Sequence, residues 1–171
     1  EVPITEEKAK SRRGRYRMLD PLFRFWFRFV YGKEDRYERL GENTYDAVIE
    51  PELPDFVSHE FERLCQDALP SLYPDKVFLG LGRWWYKEHE VDVVGFTTDG
   101  TMVVGECKFT NAPLDYRALA SLEDHAAEIR WAPDTDEKNT EYALFTRNGA
   151  TQSIQEAVSE RDDVRLFDLK D

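Results

Sequence analysis

Two cysteines in 171 residues, Cys65 and Cys107, are too few for a disulfide framework and lack the paired spacing of a cysteine zinc site. A reducing cytosol is the compartment they suggest. Long apolar runs are missing as well. Arg24 and Arg28 interrupt the most hydrophobic segment, so no stretch reaches the ~18 residues that a membrane helix needs. Neither a membrane partner nor a secretory leader is expected. The three histidines, His59, His89 and His125, fall at no metal-ligand spacing, and surface or capping roles are expected of them. Gly80-x-Gly82 lacks the strand-to-helix context of a dinucleotide loop. No glycine-rich loop ends in Gly-Lys-Ser/Thr, so ATP is not expected to bind these residues.

Positive charge is scarce too. The chain holds 23 Lys and Arg, only eight of them lysine, against 35 Asp and Glu. The formal charge is −12 and the pI about 4.8, which at face value argues against a polyanion as partner. The average hides a split. Residues 1–40 carry 11 Lys and Arg against 7 Asp and Glu, whereas residues 41–171 carry 12 against 28. Few lysines with many carboxylates resemble the surface of a salt-adapted (halophilic) protein, because in ~1 M salt the Debye length falls to about 3 Å and acidic self-repulsion fades. Hydrophobic residues at 41% and aromatics at 13% exclude a disordered chain, and the length fits one domain with an appendage. The start on Glu1-Val2-Pro3-Ile4-Thr5, without Met, reads as a piece of a longer polypeptide.

Along the chain, Val2–Thr5 and Arg15–Leu19 read as two short strands around a polar tip. This predicts a β-hairpin over residues 1–20 with a long basic loop, whose Lys8, Lys10, Arg12, Arg13 and Arg15 either meet nucleic-acid phosphate or form a solvated loop. Asp20-Pro21 is a helix start, an acidic cap followed by proline. The aromatic helix that follows, Leu22–Tyr31, is apolar nearly all round and is expected to be buried. Residues 41–55 read as a turn-rich linker, giving expected units of 1–20, 21–54 and 55–171. From 55 on, the apolar positions 57, 61, 64, 65 and 68 keep a helical period after Ser58. Strands 77–86, 91–96 and 101–109, a helix 116–131, a strand 142–146, a helix 152–159 and a strand 164–169 complete a mixed α/β order, α-β-β-β-α-β plus α-β. Trp84 and Trp85 alternate across a strand, one for the core and one to cover an edge.

Chemistry concentrates in the strand Met102-Val103-Val104-Gly105-Glu106-Cys107-Lys108-Phe109. Glu106 and Lys108 share one face of it. An acid two residues before a lysine is common here, at Lys8, Lys108, Lys138 and Lys170, but only Lys108 lies in an apolar strand. Burying such a pair costs several kcal/mol per charge unless the groups are paired or bind something. Asp92, in the preceding strand, meets Glu106 only if the connecting loop has three residues, Thr98-Asp99-Gly100, with Gly100 left-handed; a two-residue loop turns Asp92 away. The three-residue loop is the expectation. Two carboxylates side by side then favour a bridging hard cation such as Mg²⁺ or Mn²⁺.

An acid on the first helix, Asp92 and Glu106-x-Lys108 in this element order resemble the PD-(D/E)XK nuclease superfamily. The tract Arg15-Tyr16-Arg17-Met18-Leu19-Asp20-Pro21-Leu22-Phe23-Arg24-Phe25-Trp26-Phe27-Arg28-Phe29-Val30, with Phe61-Glu62, Gly82-Arg83-Trp84-Trp85, Glu90-Val91-Asp92 and Gly105-Glu106-Cys107-Lys108, is more specific. Over nearly the whole chain it resembles the C-terminal domain of archaeal AAA-type (DEXX-box) ATPases, formerly a domain of unknown function. The resemblance implies a restriction-endonuclease-like core, a truncated winged-helix unit at the start, and an ATPase module upstream in the same chain. It implies Asp92, Glu106 and Glu62 as metal ligands, with Glu62 rather than Glu60 matching the family's Phe-Glu pair, and Lys108 orienting the attacking water. The implied activity is Mg²⁺- or Mn²⁺-dependent DNA phosphodiester hydrolysis. The alternative is a catalytically silent DNA-binding or regulatory module of the ATPase. Some nucleases of the superfamily add a Gln or Lys from the second helix, where this chain has Ala126-Ala127.

Overall fold

Five strands lie in chain order across one sheet: β1 (Phe78–Tyr86), β2 (His89–Thr97), β3 (Thr101–Lys108), β4 (Asn139–Thr146) and β5 (Val164–Asp168). The computed structural model describes residues 1–7, 10–133 and 138–169. The first three strands are antiparallel; β3, β4 and β5 run parallel, joined through α4 (Tyr116–Ala127) and α5 (Gln152–Glu160). Parallel neighbours need such crossovers, and the crossovers cover a face of the sheet. Leu119 and Leu122 of α4 and Ile154 of α5 pack on Val94, Val104 and Leu144. The other face is covered by α3 (Leu53–Leu72), whose Phe61, Cys65 and Leu69 pack on Val93, Val103 and Phe145. The result is a mixed α/β protein of three layers. No helix among the described residues is long and apolar enough to cross a membrane.

The β2–β3 turn sets the register that matters. Val93 pairs with Gly105 and Phe96 with Met102, which carries Thr97 to a place opposite Thr101 and Asp92 to one opposite Glu106. Gly100 has φ +80, the left-handed position that a three-residue loop favours. The Thr97 hydroxyl donates to the Asp99 carboxylate and accepts from the Thr101 N–H at 3.0 Å, closing the turn. Gly105 is needed for a different reason. A Cβ there would lie 3.0 Å from the Phe145 ring and 3.0 Å from Val93 Cβ, so a side chain would push apart the strands that carry the acidic residues.

The amino-terminal third departs from the sequence expectation at several points. Among the described residues, 1–20 contain no strand. Pro3 has no N–H to give a ladder, and the Ile4 N–H is spent on the Arg83 carbonyl of β1 at 2.9 Å. Only Glu1 and Arg15 exchange backbone bonds, so the predicted wing collapses into an irregular segment lying against β1. Asp20 does cap its helix, accepting from the N–H groups of Leu22 at 2.8 Å and Phe23 at 3.2 Å. The helix is short, α1 (Pro21–Phe25), and passes into a π-helical turn, Trp26–Val30. Its burial is also corrected. Phe29 is buried against Phe25 and Phe56, but Leu22, Phe23, Trp26, Phe27 and Tyr31 are exposed. Helix α2 (Glu34–Leu40) follows. The expected linker is helical too: turns at Gly41–Asn43, Tyr45–Ile49 and Glu50–Glu52 run into α3, which starts at Leu53 rather than near Ser58. Helix α4 stops at Ala127, short of Trp131.

Candidate active site

A cleft of about 810 Å³ opens where the N-terminal half of α3, the ends of β2 and β3, and α4 meet. Asp92, Glu106, Lys108 and Glu62 all line it. Asp92 gets there through a break in the sheet. Gly82 pairs with Val94 and Trp84 with Val91, so Asp92 and Val93 together face the single residue Arg83. A bulge of this kind upsets the alternation of faces. Val91 therefore packs on the α4 side and Val93 on the α3 side, with Asp92 turned into the cleft between them. The carboxylate then replaces part of the ladder. Asp92 Oδ2 accepts from the Cys107 N–H at 3.1 Å, and Gln66 of α3 donates to the Asp92 carbonyl at 2.6 Å.

Glu106 and Lys108 project from one face of β3 and touch each other, Lys108 Nζ against Glu106 Oε1. Burial pushes the Asp92 carboxyl up to about 7, helped by the negative charges of Glu106 and Glu62; the Cys107 N–H and Arg83 only partly oppose this. Burial acts to lower the Lys108 pKa, but the hydrogen bond and charge of Glu106 outweigh it and Lys108 is raised, so it stands as an ammonium. Cys65 and Cys107 are free and buried. Burial, then the neighbouring Cys65, pushes the Cys107 thiol well up, which removes it as a nucleophile.

The two glutamates of α3 part company. Glu62 lines the cleft, whereas Glu60 turns to Arg24 and to Arg63 at 3.3 Å. Glu62 does not stand free beside Asp92 and Glu106, because Arg83 comes between. Its Nη1 lies 3.0 Å from Glu62 Oε2, within ion-pair range but off the hydrogen-bonding direction. Its Nη2 lies 2.9 Å from Glu90 Oε1 and 3.5 Å from Asp92 Oδ1. Among the described residues no three His, Cys, Asp or Glu are gathered to hold one metal ion. What the donor set offers is the pair Asp92 and Glu106, carboxylates on paired strands that line one cleft. That fits a hard divalent ion, since Mg²⁺ takes one or two carboxylates and completes its shell with water and phosphate.

The basic residues expected on a wing are placed elsewhere. Lys8 lies outside the described residues. Lys10 pairs with Glu7 at 2.7 Å, and Arg12 is exposed. Arg13 pairs with Glu6 and sits over the Tyr86 ring at 5.0 Å. Arg15 sits over Trp85 at 4.5 Å, pairs with Glu90 at 3.0 Å and lines the cleft. The tryptophans divide as their alternation predicts: Trp84 enters the core, and Trp85 is covered by the N-terminal segment, donating to the Arg13 carbonyl at 3.2 Å.

Sequence reasoning gave no site role to Arg83 or Glu90 and only surface or capping roles to His59 and His125, yet all four line the cleft. For Arg83 a signal existed, because it is the one charge inside the otherwise uncharged strand 78–86. His125 had none. Its place follows from α4 crossing the sheet, where its Nδ1 bonds the Glu90 carbonyl at 2.8 Å and its ring meets His89 edge-on at 5.1 Å. It also supplies a polar group on the second helix one position before Ala126-Ala127.

Comparison with known proteins gives three results. An uncharacterized protein, MJECL04, of Methanocaldococcus jannaschii is 31% identical over 100 residues, 55% of this chain. The match spans only 22% of that relative's length. The crystal structure of a repair endonuclease from Pyrococcus abyssi is similar over 63% of this chain and 44% of its own, at 18% identity and a TM-score of 0.41. A likeness so loose carries no assignment. Residues 26–139, well over half of the chain, match the profile of DUF234, archaeal and bacterial proteins of unknown function, and the protein belongs to that family.

Proposed function

We propose that the cleft is the active site of a Mg²⁺- or Mn²⁺-dependent nuclease domain acting on DNA, in a PD-(D/E)XK-like arrangement. The observation that carries this reading is the convergence of Asp92, Glu106 and Lys108 at the ends of β2 and β3, under a helix that offers Glu62. Asp92 and Glu106 would hold the cation, and Glu62 borders the same space. A divalent ion held there would supply a water of lowered pKa and a polarised phosphodiester. Lys108, kept as an ammonium by Glu106, donates to the phosphate oxygens as negative charge develops and fixes the line of the attacking water. Asp92 is pinned by the Cys107 N–H and cannot swing away from Glu106 without breaking that bond.

DNA as substrate is supported by the phosphate chemistry of such a site and by Arg15, which lines the cleft. The acidic surface restricts approach, so activity belongs at high salt, in keeping with a salt-adapted cytoplasmic protein. An ATPase module on the same polypeptide is part of the proposal, in line with a relative several times the length of the matched region.

A second reading, a silent DNA-binding or regulatory module, is favoured by one feature, the guanidinium of Arg83 lodged among the carboxylates. Plasmid cleavage in high KCl with and without Mn²⁺ separates the two. Wild type is expected to nick DNA only with Mn²⁺, and Lys108→Ala to lose at least 100-fold in rate with retention of DNA unchanged. Intact plasmid in Mn²⁺, with salt-sensitive binding preserved, establishes the silent module instead.

A further inference from the structure

Arg83 makes no use of the surface. Its side chain is only 14% exposed, and its guanidinium faces three acids, Glu90 and Asp92 of β2 and Glu62 of α3. The contacts are uneven. Glu90, on the outer side, is held at 2.9 Å in hydrogen-bonding geometry. Glu62 is near but misaligned, Asp92 is at 3.5 Å, and the Arg83 Nε is buried with no hydrogen-bond partner. A guanidinium satisfied by its site would fill its fork with paired bonds. This one neutralises Asp92 and Glu62 without binding either well. Acids crowded in the cleft with no cation would repel one another, which a poorly fitted cation already relieves. A divalent ion at Asp92 would carry twice the charge and fit carboxylate oxygens better, and it would repel the guanidinium beside it.

We propose that Arg83 is the built-in counter-ion of the cation site, exchanged for the divalent ion when that ion binds. Glu90 tethers the guanidinium at the cleft wall, so the exchange is a short swing away from Asp92 and Glu62 rather than an exit. It leaves a planar fork facing the space where a phosphodiester would lie, and that fork suits phosphate oxygens. Arg83 therefore sets a threshold for cation binding and becomes a phosphate-binding residue once the threshold is passed. Cation and DNA phosphate then bind with positive coupling, which by linkage is reciprocal. This rests on the metal-site reading proposed above.

The test is Mg²⁺ titration by calorimetry of wild type, Arg83→Met and Arg83→Lys, with circular dichroism confirming the fold of each. Arg83→Met is expected to bind Mg²⁺ at least 10-fold more tightly than wild type. Equal or weaker binding by a folded Arg83→Met, with wild type binding measurably, overturns the exchange. No binding by wild type or by either variant defeats the metal-site reading itself. Should Arg83→Met not fold, wild type alone decides through the NMR signal of its arginine Nε–Hε groups. The Arg83 signal, assigned by its loss in Arg83→Lys, is expected to shift as Mg²⁺ saturates the site, and an unmoved signal overturns the proposal. For the phosphate step, anisotropy with a 12-base-pair phosphorothioate duplex is expected to show Mg²⁺ tightening binding about 5-fold in wild type and not in Arg83→Met. Equal tightening in both removes phosphate from Arg83's role.

Discussion

The region richest in aromatic side chains and the sparser region that forms the core end up in opposite circumstances. Residues 21–31 carry a run of Phe, Trp and Leu side chains, most of them in solvent, with Phe29 alone fully buried. Residues 53–169 carry a sparser apolar pattern, yet they supply most of the buried side chains, enclosed between the sheet and its three helices. The difference lies in partners. An interior strand gains two hydrogen-bonded neighbours and two covering layers, whereas α1 and the turn after it rest on the start of α3 and the turn before it. Hydrophobic character drives burial only where another apolar surface is within reach.

Removing core volume is the largest way to sharpen this contrast. Leu69→Ala, beneath α3, is expected to cost about 3 kcal/mol, while Leu22→Ala stays within about 0.5 kcal/mol, both read from urea unfolding midpoints at fixed salt. A Leu22→Ala loss as large as that of Leu69→Ala would mean that the aromatic face is packed against something in solution. Ion pairs should divide the same way. Lys76, 8% exposed, joins Asp99 at 3.3 Å and Glu141 at 2.9 Å under the sheet. Lys76→Ala strands Glu141 and is expected to cost about 2 kcal/mol, against less than about 1 kcal/mol for Arg28→Ala, whose partners Glu52 and Asp55 are half exposed or more. Equal losses would erase the distinction between the regions.

The smallest effect is acidic. Asp99 lies far below the usual carboxylate range because the Thr97 hydroxyl bonds it, with Thr101 and Lys76 assisting. Asp163 is lowered by its forked pairing with Arg161 at 2.8 and 3.0 Å. A depressed folded pKa contributes stability above the unfolded value of about 3.9 and loses it as pH falls below that. Melting below pH 4 is therefore expected to drop by a few degrees more in wild type than in Asp99→Asn. Parallel curves for the two would locate the acid sensitivity outside the turn.

Much of the sheet side was legible because its signals are local. Thr98-Asp99-Gly100 specified a three-residue loop, and the loop fixed the register that brings Asp92 to Glu106. The alternation Glu106-x-Lys108 placed two charges on one face of β3 for the same reason. The bulge at Asp92-Val93 was not legible, since it arises from how β1 and β2 together accommodate Arg83. The N-terminal wing was misread because a basic loop between short apolar stretches looks the same whether its strands pair with each other or one of them lies along β1.

By itself, the sequence determined the order of helices and strands from α3 onward, the cap at Asp20, the turn at Gly100 and the clustering of acid and lysine on β3. These are set by neighbours in the chain, through backbone conformation and a period of two or 3.6. Tertiary structure alone decided that Arg83 stands between Glu62 and Asp92, that Glu60 turns away, that His125 reaches the cleft and that the aromatic tract stays in solvent. Each of those depends on the distance between segments remote in sequence, and at such range Coulomb forces and burial act on positions that only the folded chain defines.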